Sequence, residues 1–332
     1  MKQSRFKIFV ATLIATIACT AVVAQSQPIE LKAKVHDHFR FVAYGDTRFT
    51  DPVDTQAANA AVRQQLVQAI ANARPDFVVF GGDIAYNGDR VADWKVYDSE
   101  TAIWRERKIT VFPALGNHDL HGDVNQALAN YFARFPDLKE NRFYAVHAGN
   151  SLLLTLDSSL DELAGPQGEW LKNQLQHLNK STNFVFIVLH HPPYTSSSDE
   201  KTYGGGHSAR PAEQKLAAYL EEQQKSLRAR IVVIAGHVHN YERHEHGGVL
   251  YFVTGGGGAH AYPITRAPGD PFQSSEVNYH YLLLEVHGRD LKVVINRVDL
   301  KDGVALWTQP DSLKISAPKS METAATFGRM LR

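Results

Sequence analysis

The sequence predicts an α/β protein built on a mostly parallel β-sheet. Three observations carry that expectation. Short apolar, β-rich runs alternate with segments whose apolar residues recur at helical spacing. Several of these runs close on a short polar motif of Gly, Asp, Asn or His, and in parallel sheets the carboxyl ends of the strands are where ligand-bearing side chains gather. Beyond about residue 240 the helical pattern fades and strand follows strand.

The chain has 332 residues, 44% of them hydrophobic, which is enough to bury a substantial core. Its N-terminus has a different character. Lys2, Arg5 and Lys7 precede an apolar stretch from Ile8 to Val23, and Ala24 offers the small residue that cleavage needs, so residues 1–24 read as a removable export signal. Thr12, Thr16, Cys19 and Thr20 interrupt the stretch, which is short for a bilayer span of about 20 apolar residues. A lipid anchor on Cys19 is the lesser alternative, because Thr16-Ile17-Ala18 precedes it poorly. The mature chain is therefore expected in a periplasmic or extracellular space, without stable membrane association.

Cys19 is the only cysteine, so the mature chain would form no disulfide and offer no thiolate to a metal. Losing three basic residues and no acidic one takes the formal net charge from +0 to −3. No nucleic-acid binding is expected from that balance. Residues 25–310 read as one domain, and the polar residues 311–332 as a loosely held C-terminal tail.

Taken in order, residues 39–44 read as a strand running into Gly45-Asp46. Residues 55–73 have helical spacing, with Asp54 as a cap. Residues 77–80 form a short strand that ends at Gly81-Gly82-Asp83. A helix carrying Val91, Trp94, Val96 and Tyr97 leads to a strand at 109–114 and then to Gly116-Asn117-His118-Asp119. Residues 123–134 are helical, 143–146 and 152–156 pair around Gly149-Asn150, and 168–180 form a helix. Residues 184–189 are a buried strand, stopped by His190-His191-Pro192-Pro193. The Ser- and Gly-rich residues 195–209 read as a loop over the site. A helix at 211–224 precedes the strand 231–235, which delivers Gly236-His237-Val238-His239. The later strands are 249–253, 281–286, 291–298 and 304–307.

Asp46 and Asp83 each stand behind a glycine at a strand end, where the backbone turns sharply and a carboxylate can point into a cleft. One Gly-Asp pair is an ordinary turn; two at successive strand ends say more. A carboxylate can bridge two cations about 3.5–4 Å apart, and hard oxygens with imidazoles suit two adjacent metal ions and phosphate-ester hydrolysis. His237 and His239 alternate along extended chain, so a bend is required to bring both to one cluster. Asn117 and His190 mean little alone; their joint occurrence at neighbouring strand ends carries the argument.

The series Gly45-Asp46, Gly82-Asp83-x-x-Tyr86, Gly116-Asn117-His118, His190-x-Pro192 and Gly236-His237-Val238-His239 resembles the calcineurin-like metallophosphoesterase superfamily. Tyr86 and the run from Gly236 to Arg243 are similar to its purple acid phosphatase branch. The superfamily's first motif usually reads Asp-x-His, whereas this chain has Arg48, which cannot be a ligand. In the purple branch a tyrosine three residues after the second Asp binds instead, where Tyr86 stands.

The resemblance implies a four-layer α/β/β/α sandwich with two mixed β-sheets, and a catalytic domain over 25–310. It implies Fe(III) held by Asp46, Tyr86 and His239, with Asp83 bridging, and Fe(II), Zn(II) or Mn(II) held by Asn117, His190 and His237. Metal-activated hydroxide would attack phosphorus in line. His118, oriented by Asp119, is the candidate acid for the leaving group, and His207 resembles a substrate-contacting histidine of the family. The substrate class implied is a small-molecule phosphate ester, a monoester first, with a diester, nucleotide or pyrophosphate as the alternative. A metal- or phosphate-binding protein without turnover is the reading from another class. Gly255–Gly258 reads as a tight turn near the site, His260 as a surface residue, and His191 as packing behind the site. For Arg48 a phosphate contact and a structural ion pair stay open.

Overall fold

The computed structural model describes residues 28–198, 207–276 and 278–318; residues 1–24, read from sequence as an export signal with Cys19, the run Gly204–Gly206 and residues 319–332 lie outside that description. The chain runs β1 (Glu30–Lys32), β2 (His38–Tyr44), α1 (Ala60–Ala73), β3 (Phe77–Phe80), α2 (Val91–Glu100), α3 (Ala102–Glu106), β4 (Thr110–Pro113), α4 (Val124–Arg134), β5 (Tyr144–Ala148), β6 (Ser151–Thr155), α5 (Gly165–Gln176), β7 (Phe184–Leu189), α6 (Pro211–Gln224) and β8 (Arg230–Ala235). Strands follow: β9 (Tyr241–His246), β10 (Val249–Thr254), β11 (Tyr279–His287), β12 (Asp290–Lys301), β13 (Val304–Thr308) and β14 (Ser312–Ser316). Among the described residues no helix is long and apolar enough to cross a membrane.

Two seven-stranded mixed sheets result. One has the order β1-β5-β6-β7-β8-β10-β9; the other runs β13-β12-β11-β2-β3-β4, with β14 also paired to β12. In the first sheet the central strands β6-β7-β8-β10 run parallel, as the strand–helix rhythm predicts; in the second, β2, β3 and β4 run parallel at one end and the rest pair antiparallel.

Strand alternation explains how both faces of each sheet are covered. On β7, Phe184, Phe186 and Val188 face the other sheet, while Val185, Ile187 and Leu189 face a second core with Trp170 and Leu171 of α5 and Leu216 and Leu220 of α6. Phe41 of β2 meets Phe186 edge-on at 5.1 Å across the inter-sheet core. Such a pair contributes about 0.5–1.5 kcal/mol beyond its buried area. Alternate residues of β2 and β3 point away from that core, and Tyr44 and Phe80 pack on each other and on Trp104 of α3. Helices thus cover the outer face of each sheet, giving the four-layer α/β/β/α sandwich.

Three boundaries differ from expectation. Helix α1 starts at Ala60, capped by Asn59, whose side chain accepts from the Val62 amide. Asp54 instead accepts from the amides of Gln56 and Ala57 in a turn ahead of it. Helix α5 is shifted toward the N-terminus because Pro166 starts it. The stretch from 311 is not a loose tail at its start: β14 pairs with β12, and Asp311 binds Arg243 at 2.8 Å and the Tyr241 hydroxyl at 2.8 Å. The alternation of Leu313 and Ile315 with polar neighbours is the signal that reading passed over.

The two sheets touch at their carboxyl ends. The Gly45 amide, just past β2, donates to the Thr254 carbonyl of β10 at 2.9 Å. Behind this junction His280 of β11 is fully buried, with Nδ1 on the Asn278 carbonyl (2.9 Å) and Nε2 on the Thr254 hydroxyl (3.1 Å). Burial pushes its pKa down to about 4. The unfolded chain therefore binds a proton that the folded chain refuses between about pH 6.5 and 4, so stability is present above that window and is lost as pH falls through it. A shift of that size is worth up to about 3 kcal/mol. His280→Gln should flatten the acid side of the stability curve over this range. Denaturant midpoints of the two proteins from pH 7 to 4 check it, and parallel curves would refute the assignment.

Candidate metal centre

All five sequence motifs arrive at this junction. Asp46 follows β2, Asp83 follows β3 and Asn117 follows β4 in one sheet; His190 follows β7, and His237 and His239 follow β8 in the other. Asp46, Asp83 and His237 have left-handed backbone, with φ of 59°, 54° and 69°. That conformation costs an L-residue about 1–2 kcal/mol, and it is held here by hydrogen bonds of the site itself. The Asp46 amide donates to the Gly82 carbonyl (3.0 Å), the His237 amide to Asp46 Oδ2 (2.8 Å), and the His118 amide to Asp83 Oδ1 (2.8 Å).

The bend that two alternating histidines require is present. The amides of Val238 and Asn240 each donate to the carbonyl two residues back, at 2.8 and 2.7 Å, which breaks the extended chain. Glycine then permits the close approach of neighbouring loops. A Cβ at Gly116 would lie 2.3 Å from both the amide nitrogen and Oδ1 of Asp83. At Gly82, φ is +89° and a Cβ would meet His190 Nδ1 at 2.6 Å.

Two adjoining ligand groups form. In the first, Asp46, Asp83 and His239 converge; Asp46 Oδ1 and His239 Nε2 lie 3.6 Å apart, both buried and without a hydrogen-bond partner among the described residues. His239 Nδ1 donates to the His260 carbonyl at 2.8 Å, which leaves a lone pair on Nε2. In the second, Asn117 Oδ1 lies 3.0 Å from His190 Nε2 and 3.1 Å from His237 Nδ1, and the two imidazole nitrogens are 3.2 Å apart. His190 Nδ1 donates to the Gly81 carbonyl at 2.8 Å, so its Nε2 also carries a lone pair. Asp83 Oδ1 stands 3.3 Å from that nitrogen and joins the two groups. Lone pairs facing lone pairs, in a set of carboxylates, imidazoles and an amide oxygen, fit metal cations.

The titration behaviour agrees with that demand for positive charge. Burial, then the neighbouring Asp83 charge, push Asp46 well above the usual carboxylate range. Burial opposes Asp83 too, but His190 and His118 when protonated, the Arg48 guanidinium and the His118 amide hold it below that range. Burial keeps His190 and His239 neutral by lowering their pKa values, so their lone pairs stay available.

Of the predicted catalytic residues, His118 sits beside this set with Nδ1 on the Tyr86 carbonyl (2.7 Å) and its ring stacked on that of Tyr86 at 5.3 Å. Burial lowers its pKa to about 4. Asp119 does not orient it, contrary to the sequence reading. In the short 3-10 turn His118–Leu120 the Asp119 carboxylate points inward and accepts from the amides of Ile84 (2.9 Å), Ala85 (3.0 Å) and Gly116 (2.9 Å), fastening the Asp83 and Asn117 loops together. Burial, with Asp83 adding, raises its pKa to about 8 against these three donors. The ring of His207 lies 5.0 Å from that of His237 and 5.7 Å from that of His239, so His207 does stand at the site.

Other residues escaped the sequence reading. Tyr262 accepts the His239 amide at 3.1 Å, and its ring packs 5.3 Å from that of His207; burial pushes its phenol pKa up. Its sequence context gives no signal. His191, read as packing material, places a ring nitrogen within the His190–His237 group, and it bonds the Ser158 hydroxyl through Nδ1 at 2.8 Å. The Gly255–Gly258 run does wall the site: a Cβ at Gly255 would lie 2.8 Å from Asp46 Oδ2. His260 contributes its carbonyl, while its ring is exposed.

The sequence and the fold have counterparts. The calcineurin-like phosphoesterase profile matches residues 39–241, more than half of the chain. The chain belongs to this family. Among known calcineurin-like phosphoesterases it is 26% identical over 201 residues to purple acid phosphatase 5 of Arabidopsis thaliana, covering 59% of this chain and 45% of that one. A probable cyclic nucleotide phosphodiesterase of Rhodococcus erythropolis is 27% identical over 202 residues, covering 56% and 59%. The chain spans about half the length of the curated relatives it matches. In fold it is similar to purple acid phosphatase PPD1 from yellow lupin seeds, with a TM-score of 0.62 at 17% identity over 85% of this chain and 54% of that one. Plasmodium GAP50 has a TM-score of 0.61 at 20% identity, over 85% and 90%. A family of this kind uses a dinuclear metal site, and the two ligand groups supply the places for it.

Gly116→Ala offers a direct check on the packing of this centre. The added methyl must displace the Asp83 backbone, so the purified variant should hold less metal per chain than wild type by elemental analysis while keeping its circular dichroism. Equal metal content would show that the close approach is dispensable.

Proposed function

We propose that this protein is an exported metal-dependent phosphoesterase that hydrolyses small-molecule phosphate monoesters. One observation carries the reading: Asp83 belongs to one ligand group and its Oδ1 lies 3.3 Å from His190 Nε2 of the other, in a chain of the phosphoesterase family. The chemistry supplied by a bound metal pair is electrophilic activation of a phosphoryl group and acidification of water. Asp46, Asp83 and His239, with Tyr86, are the proposed holders of one ion, and Asp83, Asn117, His190 and His237 of the other. A phenolate ligand favours a hard trivalent ion, which makes Fe(III) the proposed occupant of the Tyr86 side and Fe(II), Zn(II) or Mn(II) that of the other.

The chain's own residues have distinct tasks in this proposal. Asp119 fixes the loops that carry Asp83 and Asn117. His118, anchored through Nδ1 on the Tyr86 carbonyl, is the group assigned to the departing oxygen: taking a second proton from solvent in acid, its imidazolium would hand that proton from Nε2 to the leaving group. His207 and Tyr262 line the approach to the histidine side. Diester hydrolysis is the second reading, supported by the relatives named probable cyclic nucleotide phosphodiesterases.

The metal-loaded protein should release aryl alcohol from an aryl phosphate, and Asp83→Ala should lower kcat/KM by on the order of a thousandfold or more. Equal rates in the two proteins would remove the catalytic reading, and a preference for bis-aryl phosphate would favour the diesterase. The concentrated iron-loaded protein should absorb visible light through a phenolate-to-iron transition that Tyr86→Phe abolishes. An unchanged spectrum in that variant would refute the Tyr86 assignment.

A further inference from the structure

Two arginines near the end of β2 differ in kind. Arg63 of α1 is a structural cation: Nε and Nη2 hold the two oxygens of Glu100 at 2.8 and 2.6 Å, and further donors reach the carbonyls of Arg48 and Thr50 at 3.2 and 3.3 Å. It is fully buried. Arg48 has none of this saturation. Its guanidinium makes one long contact, Nη2 to Asp83 Oδ2 at 3.5 Å, its Nε is buried without a hydrogen-bond partner among the described residues, and its side chain is 16% exposed.

Yet the fold holds Arg48 firmly. Its amide donates to the Asp83 carbonyl at 3.0 Å, its own carbonyl accepts from Arg63, and its φ is 45°, left-handed backbone that a bulky residue keeps only under constraint. The charge so placed acts on Asp46, Asp83, His118, His190 and His239 alike. A structural ion pair at this spot would resemble Arg63 with Glu100: short, bidentate and closed to water. Arg48 instead keeps most of a planar donor fork that matches phosphate oxygens.

We propose that Arg48 is a substrate-binding residue, donating to a non-bridging oxygen of the phosphoryl group and favouring monoesters over diesters. The inference rests on the phosphoesterase reading above. A monoester presents three unsubstituted oxygens and up to two negative charges, a diester only two oxygens and one charge. Loss of the fork therefore weakens the monoester more. Lysine keeps the charge without the bidentate geometry, so Arg48→Lys recovers only part of the effect.

The test compares metal-loaded wild type, Arg48→Lys and Arg48→Gln, with metal content and denaturant midpoint measured on each. Para-nitrophenyl phosphate and its bis-aryl diester supply kcat/KM values, and calorimetric titration with inorganic phosphate supplies a Kd. In Arg48→Gln the monoester-to-diester ratio of kcat/KM should fall about tenfold or more, and phosphate should bind weaker by a similar factor, with metal retained. Equal losses on both esters, an unchanged phosphate Kd, or loss of metal from both variants would overturn the proposal. Should wild type hydrolyse neither ester, the phosphoesterase reading fails by itself. Phosphate titration then decides on Arg48: weaker binding in Arg48→Gln supports its role, and equal or absent binding in both proteins refutes it.

Discussion

Acceptors facing acceptors is the constraint on which the rest of this structure depends. Asn117 Oδ1, His190 Nε2, His237 Nδ1 and Asp83 Oδ1 crowd within 3.0–3.3 Å contacts, and Asp46 Oδ1 stands opposite His239 Nε2 with no donor between them. Water or a protein donor would ordinarily satisfy each of these atoms, since an unpaired buried polar group costs about 1–3 kcal/mol. Asp83 Oδ1 does accept from the His118 amide, but His190 and His239 each spend their N–H on a backbone carbonyl, so their Nε2 lone pairs face the oxygens of the site. Cations suit such a set.

Holding such a set demands a rigid frame, and the frame is made of backbone. Left-handed residues at Asp46, Arg48, Asp83 and His237 concentrate strain on the rim of one cleft. Asp119 opposes that strain through three amide hydrogen bonds, and Arg63 through its grip on Glu100 and on the carbonyl of Arg48. Neither of these two buried titratable side chains has a hydrogen bond to a candidate ligand side chain among the described residues, yet they help fix where the ligands stand.

Much of this was legible in the sequence because the signals were local. An apolar run followed by Gly-Asp, Gly-Asn-His or Gly-His-Val-His encodes both a strand and what stands at its end, and the ligand-bearing loops lie where those motifs put them. Residues acting through tertiary contact were not legible. Tyr262 reaches His239 across a loop, Asp119 looks like a partner of His118 until the 3-10 turn points it inward, and His191 joins the site only because Ser158 and His237 flank it. The missed strands share one physical cause: β1 is Glu-Leu-Lys, β9 carries Glu, Arg and His, and β14 alternates with Ser and Lys, so none has the apolar density that marks a strand.

The ligands are divided between two sheets, and the Gly45 to Thr254 hydrogen bond marks where those sheets meet. Asp46 and His239 are separated by most of the domain's length, so neither half of the chain can assemble the centre alone. The complete centre therefore exists only where both sheets are docked in register, although His190, His191 and His237 converge from one sheet alone. Bound ions in turn add their binding free energy to the docked state and none to the separated sheets. The centre thereby serves as a clamp on the sandwich, and scarcity of metal would be felt first as a loosening between the sheets.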